Sequence, residues 1–128
     1  MSISLDHVHL FCSDPAVTQA FFVDLLGAQP VWDAKAAGVR NVRLRLGNGF
    51  IHLYDQPPRG PRGGAFHHLG VRTDDLDALV ERMKTRGQEF RNPVREEPGF
   101  RYAMVAGPDD LLIELFEVRD PEHWQIHP

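Results

Sequence analysis

With one cysteine, Cys12, the chain cannot close an internal disulfide, and it has no CxxC pair to hold a metal. There is no basic run either. Fourteen Lys and Arg stand against eighteen Asp and Glu, a net charge of −4 with seven histidines counted neutral, so the cationic footprint of a nucleic-acid-binding protein is missing. No apolar run approaches the roughly 18 residues of a membrane-crossing helix, and the stretch Met1-Ser2-Ile3-Ser4-Leu5-Asp6 lacks the cationic start of a leader. These absences predict a cytoplasmic protein with neither a membrane nor a nucleic-acid partner. At 128 residues and 42% hydrophobic side chains, the chain has length for one domain of ordinary size. What it does have is histidine, and the positions of the histidines carry the functional reading.

The sequence repeats itself. Leu5-Asp6-His7-Val8-His9-Leu10-Phe11-Cys12-Ser13-Asp14 is followed by an amphipathic stretch from Pro15 to Leu26 and then Gly27. The pattern returns as His68-Leu69-Gly70-Val71-Arg72-Thr73-Asp74-Asp75, an amphipathic stretch from Leu76 to Arg86, and Gly87. In each half an alternating strand leads to an Asp, a helix and a glycine suited to a left-handed cap, and Asp14-Pro15 is the favoured N-cap and first-turn pair. Each half then holds a hairpin: Asn41 to Leu46, the turn Gly47-Asn48-Gly49 and Phe50 to Tyr54 in the first; Arg101 to Ala106, the turn Gly107 to Asp110 and Leu111 to Phe116 in the second. A third strand before each hairpin falls on Pro30-Val31-Trp32 and on Glu89-Phe90-Arg91. The predicted architecture is α+β. One domain over 1–128 is built of two βαβββ modules, 3–54 and 65–118, joined by the Pro/Gly-rich linker 55–64 and followed by a tail, 120–128.

Strand side chains alternate between faces, so the continuously apolar face marks the side that covers a helix. Val8, Leu10, Ile51 and Leu53 take that side in the first half, as do Leu69, Val71, Leu111, Ile113 and Leu115 in the second. The opposite face receives His7, His9, Phe11 and His52 in one half, and His68, Gly70, Arg72 and Glu114 in the other. Four metal-competent groups, His7, His52, His68 and Glu114, thus occupy equivalent places, one on the first and one on the last strand of each module. If a pseudo-twofold axis relates the halves, a curved mixed-sheet cup collects all four. Imidazoles with one carboxylate suit a single divalent ion of Fe, Mn, Ni, Co or Zn and leave open positions for substrate. A closed structural zinc site is disfavoured by the missing thiolates. His9 shares the inward face as an acid/base group or as wall, His67 falls toward the helix side, and His123 and His127 lie in the tail as solvated residues. Arg43 and Arg45 oppose Val42, Leu44 and Leu46 and are candidates to clamp an anionic substrate. Trp32, Tyr54, Phe100, Tyr102 and Met104 are candidates for an apolar wall.

These residues resemble the vicinal oxygen chelate superfamily of glyoxalase I, methylmalonyl-CoA epimerase, extradiol dioxygenases, and fosfomycin and bleomycin resistance proteins. The resemblance rests on Leu5-Asp6-His7-Val8…Asp14, Phe22-Val23-Asp24-Leu25-Leu26-Gly27, His68-Leu69-Gly70-Val71…Asp74-Asp75-Leu76-Asp77 and Gly107-Pro108-Asp109-Asp110-Leu111-Leu112-Ile113-Glu114-Leu115, and it covers the chain to about Glu117. It implies paired βαβββ modules around a divalent metal that chelates two adjacent oxygens of a small molecule. It also implies that His7, His68 and Glu114 are the recurrent His, His and Glu ligands, and that two chains pair as a homodimer.

The subfamilies differ at single positions. His52 stands where glyoxalase I and the epimerases usually carry Glu or Gln. Phe11 stands where the bacterial glyoxalase has an arginine for the glutathione carboxylate, and His9 where a fosfomycin transferase has threonine. Phe50-Ile51-His52-Leu53 with the later His67-His68 is similar to extradiol dioxygenases, in which a histidine on this strand handles protons beside the metal. Met104 and Gly107-Pro108 replace the tyrosine and Asp-Pro of those enzymes. The reading leans to a non-haem extradiol-type dioxygenase, with His52, Glu114 and His9 as candidate catalytic groups, His52 being either a ligand or an acid/base, and Phe11, Tyr54, Tyr102 and Met104 along the substrate. Two alternatives remain: a glyoxalase-like lyase, isomerase or epimerase working through an enediolate, and a small-molecule-sequestering protein without catalysis.

Overall fold

Asp14 and Asp75 start the two helices in the same way. Each has an extended φ, and its side chain accepts a backbone N–H, from Ala16 at 3.0 Å and from Ala78 at 3.1 Å, which satisfies a donor that the first helical turn leaves free. The computed structural model describes residues 1–60 and 65–122. Parts of the linker (61–64) and of the tail, including His123 and His127, lie outside the described residues. The chain divides into two compact units, Met1–Gly63 and Gly64–Pro128.

In the first unit β1 (His7–Phe11) leads to α1 (Pro15–Ala20), which continues as a π-helical turn over Phe21–Leu25. Strands β2 (Gln29–Ala36), β3 (Val39–Leu46) and β4 (Gly49–Tyr54) follow, and the sheet order is β1-β4-β3-β2. β1 runs parallel to β4, and both other pairings are antiparallel. The connections are dictated by residue type. Ala37 and Gly38 both take positive φ (53° and 79°) between β2 and β3, and Gly47 takes φ 60° between β3 and β4, so each two-residue loop twists in the sense the strands require.

The second unit repeats the scheme. Here β5 (Leu69–Arg72), α2 (Leu76–Thr85), β6 (Arg95–Glu97), β7 (Phe100–Ala106) and β8 (Leu112–Val118) make a sheet of order β5-β8-β7-β6 with β5 parallel to β8. α2 closes in a left-handed cap at Gly87 (φ 91°): Gly87 N–H donates to the Lys84 carbonyl and Gln88 N–H to that of Met83, both at 2.9 Å. The fold is α+β, with two four-stranded mixed sheets and few helices.

One strand is misplaced in the sequence reading. Glu89-Phe90-Arg91 is not a strand; β6 is Arg95–Glu97. Pro98 and Gly99 (φ 85°) form the two-residue turn that pairs Glu97 with Phe100, a proline-then-glycine order suited to a type II turn. That turn fixes which residues meet β7, and Pro93, which has no N–H to give a ladder, separates them from the expected segment.

The expected apolar faces form the cores. Val42, Leu44, Ile51, Leu53, Phe22 and Cys12 are buried in the first unit, and Leu76, Met83, Val105, Ile113 and Leu115 in the second, with α1 against β4 and α2 against β7 and β8. Leu53→Ala is expected to cost about 2–5 kcal/mol in a denaturation series, because Leu53 is 0% exposed and its neighbours cannot close the void fully. Under the start of α2 lies a polar cluster that the sequence did not announce. The Glu117 carboxylate accepts the Leu76 N–H at 2.7 Å, and Arg101 grips Asp77 through two hydrogen bonds of 2.9 and 3.1 Å. The bond from Arg101 holds the Asp77 carboxyl below its ordinary value of 3.8. A carboxyl depressed in the folded state stabilises it above the unfolded value and loses that contribution as pH falls. The acid limb of a melting-temperature profile below about pH 4 should therefore be shallower in Asp77→Asn.

Candidate functional site

In the first unit the parallel register of β1 and β4 sets His9 opposite His52 and Phe11 opposite Tyr54, and the antiparallel register of β3 and β4 sets Arg43 opposite His52. Partners in register share a face. His7 follows from alternation, two residues before His9. Its ring stacks on that of His52, with centroids 3.7 Å apart and planes 7° from parallel, and His9 meets both edge-on at 5.9 and 5.4 Å. One donor nitrogen from each of His7, His9 and His52 lies within 4.8 Å of the others.

The charges around these rings keep them in defined forms. Asp6 accepts from His7 Nδ1 at 2.8 Å and from both terminal nitrogens of Arg43 at 2.8 and 3.3 Å. The Arg43 bond, with that of His7 second, keeps its carboxyl far below the usual carboxylate range. His7 therefore carries its proton on Nδ1 and presents Nε2. Arg43 Nη1 donates to His52 Nε2 at 2.7 Å; a guanidinium has no acceptor, so His52 is a neutral imidazole protonated on Nδ1. Its pKa is lowered, first by burial and then by His7, Arg43 and His9. Arg43 also lies over Phe50, its guanidinium carbon 3.7 Å from the ring centroid.

In the second unit His68 Nε2 stands 2.7 Å from Glu114 Oε2, and His68 Nδ1 stands 2.8 Å from His67 Nδ1. Both ring nitrogens of His68 are thus engaged, one of them by the exposed His67. The residues present fit a divalent ion. Ligand atoms bound at about 2.1 Å lie about 3.0 Å apart at a right angle and about 3.4 Å apart at a tetrahedral one, so the 2.7 Å His68–Glu114 pair would open by a few tenths of an ångström to hold an ion, which would displace the proton between the two atoms.

The remaining expected residues fall as follows. Met104 lies opposite Glu114 in register and Tyr102 opposite Phe116; Phe100 stacks on both Tyr102 and Phe116, at 5.9 and 5.1 Å. Trp32 is opposite Arg43 and half exposed. Arg45 is drawn away to Gln29 at 2.7 Å. Phe11, Tyr54 and His9 line a cavity of about 360 Å³ together with Gln56 and Arg59. Asp6, Gln56, Arg59 and His67 join these groups although residue alternation does not point to them. Asp6 precedes its strand and Arg59 lies in the linker, so alternation places neither; adjacency to His7 and to Pro57-Pro58 is the only signal the sequence offers.

Each unit thus gathers imidazoles: His7, His9 and His52 in the first, and His68 beside Glu114 in the second. The Glyoxalase/Bleomycin resistance protein/Dioxygenase superfamily model matches residues 4–126, and the chain belongs to that superfamily. The Bacillus subtilis (strain 168) protein YwkD, itself uncharacterized, is 31% identical over 124 residues, 89% of this chain and 96% of its own. Among solved structures, TnmS3, an antibiotic binding protein from Streptomyces sp. CB03234, is 28% identical with a TM-score of 0.77, covering 92% of this chain and 98% of its own. The fosfomycin resistance protein FosX of Listeria monocytogenes, solved with Mn(II) and sulfate, shares the fold at a TM-score of 0.76 and 19% identity, covering 97% and 99%. Among the described residues no helix is long and apolar enough to cross a membrane.

The tautomer of His52 offers a direct check. In metal-free protein at pH 8, long-range proton–nitrogen correlation should give one tautomer, protonated on Nδ1, whereas Arg43→Met should give a mixture. A single unchanged tautomer in that variant would remove Arg43 from this role.

Proposed function

We propose that the chain is a divalent-metal-dependent enzyme that acts on a small molecule presenting two adjacent oxygens, with extradiol-type ring cleavage as the leading reaction. The observation that carries this reading is the 2.7 Å approach of His68 Nε2 to Glu114 Oε2, two groups able to share one ion, together with the His7, His9 and His52 donor nitrogens that lie within 4.8 Å of one another in the first unit. The family resemblance makes His7, at the start of β1, His68, just before β5, and Glu114 of β8 the proposed ligands. A bound divalent ion of this kind supplies Lewis-acid polarisation of substrate oxygens.

The chain's own residues do the rest. His52, neutral and half-buried, offers a basic nitrogen to a substrate hydroxyl, and Arg43 holds that nitrogen in place until the substrate arrives. That role, more than ligation, suits a ring whose Nε2 already takes a hydrogen bond from a cation. Arg43 then contributes positive charge beside the developing oxyanion, and Asp6 fixes Arg43 through paired hydrogen bonds. His9 extends the proton-accepting surface along β1.

The second reading, capture of a small molecule without chemistry, draws support from the likeness to the antibiotic binding protein TnmS3. Metal content separates the two. Protein purified without a histidine tag should carry about one transition-metal ion per chain, and His7→Ala or Glu114→Ala should lose it. At a hundredfold excess over Kd the ion should add about 2.7 kcal/mol, a rise of several degrees in melting temperature. Metal-free protein whose melting point ignores Fe(II), Mn(II), Ni(II) and Zn(II) would establish the binding reading instead. With metal bound, oxygen uptake on a panel of catechols supports ring cleavage; proton exchange at a substrate carbon without uptake moves the assignment to an isomerase.

A further inference from the structure

The cavity lined by His9, Phe11, Tyr54, Gln56 and Arg59 extends the histidine cluster along the strands. Its rings form a continuous row. His52 lies 5.4 Å from His9, His9 5.2 Å from Tyr54, and Tyr54 5.9 Å from Phe11. The Arg59 guanidinium closes the row 5.6 Å from the Phe11 ring centroid. Among the described residues no carboxylate pairs with Arg59; its terminal nitrogen donates to the neutral Gln56 side chain at 2.7 Å, which orients the fork without cancelling its charge. Arg40 and Arg43 in the same unit are each paired with an aspartate. Arg59 therefore gives this cavity its positive charge, next to aromatic faces. Arg59 follows Pro57-Pro58, whose fixed φ angles limit the freedom of the segment that carries it.

We propose that this cavity binds the carboxylate-bearing end of a one-ring aromatic substrate, with the ring against Phe11 and Tyr54 and the carboxylate on Arg59. The dimensions agree. About 360 Å³ is toward the small end of the roughly 300–1,000 Å³ of ligand pockets, room for one substituted ring. His9 and Phe11 are two residues apart on β1, about 7 Å along a strand, so a ring seated against Phe11 lies one strand repeat from His9 with the Arg59 guanidinium at its other side. Planar bidentate pairing favours a carboxylate over a neutral group, and stacking favours an aromatic over an aliphatic acid. This deepens the function proposed above by naming its substrate class, and it rests on that reading for what happens at the substrate's other end.

The test is calorimetric titration of the full chain with benzoate, benzyl alcohol and acetate, with metal content measured on the same samples. Benzoate should bind more tightly than either of the others. Arg59→Gln should weaken benzoate by about tenfold or more and leave benzyl alcohol unchanged, and Arg59→Lys should fall between, since it keeps the charge without the fork. Phe11→Leu should weaken benzoate and benzyl alcohol alike. Absence of benzoate binding up to about 20 mM, equal binding to Arg59→Gln, or acetate binding as tightly as benzoate would each overturn the proposal. A chain that holds metal and ignores benzoate sinks this proposal alone, and one that binds benzoate through Arg59 without metal sinks only the metal reading.

Discussion

The parallel register between β1 and β4 is the constraint on which the first unit's chemistry depends. It sets Val8 beside Ile51 and Leu10 beside Leu53 on the core side, and the same alignment sets His9 beside His52 and Phe11 beside Tyr54 on the other. Because strand side chains alternate with a period of two, a slip of one residue would bury the imidazoles and expose the leucines. The burial of Leu53 and Ile51 therefore fixes the position of the rings. Core stability and site geometry are one requirement here, and the β5–β8 pairing repeats it in the second unit, where Leu69 and Val71 meet Ile113 and Leu115 and leave Glu114 on the opposite face.

The two units hold their histidines by different electrostatic means. In the first, a guanidinium sits against His52 and an aspartate links that guanidinium to His7. Positive charge and burial keep His52 neutral, the form in which an imidazole can accept a proton or a metal, and Asp6 keeps Arg43 from leaving a bare charge among the rings. In the second, the carboxylate of Glu114 meets His68 directly and His67 occupies the other ring nitrogen. The first arrangement fixes which nitrogen of His7 and of His52 carries the proton, and the second engages both ring nitrogens of His68.

Much of this was legible from residue order. Asp14-Pro15 and Asp75 announce the helix starts, Gly27 and Gly87 the stops, and the alternation of Val8, Leu10, Ile51 and Leu53 sorts the faces without any coordinates. The strand before the second hairpin was misread because an apolar Phe90 between polar neighbours looks like a strand, while the segment that pairs, Arg95–Glu97, is all polar. An edge strand's place is set by its turn, Pro98-Gly99, and not by burial. His67 and His68 both precede β5, where alternation no longer assigns a face.

The sequence alone determined the repeat, the α+β class and the identity of the polar face, because these follow from periodicities that every residue of a strand or helix contributes to. Only tertiary structure decided that Arg43 and Asp6, 37 positions apart, would share hydrogen bonds around His7 and His52, and that a linker arginine would stand at the end of a row of rings. Such contacts depend on side-chain directions at strand ends and loops, where no periodicity operates and where the distance between two atoms is set by the packing of everything between them.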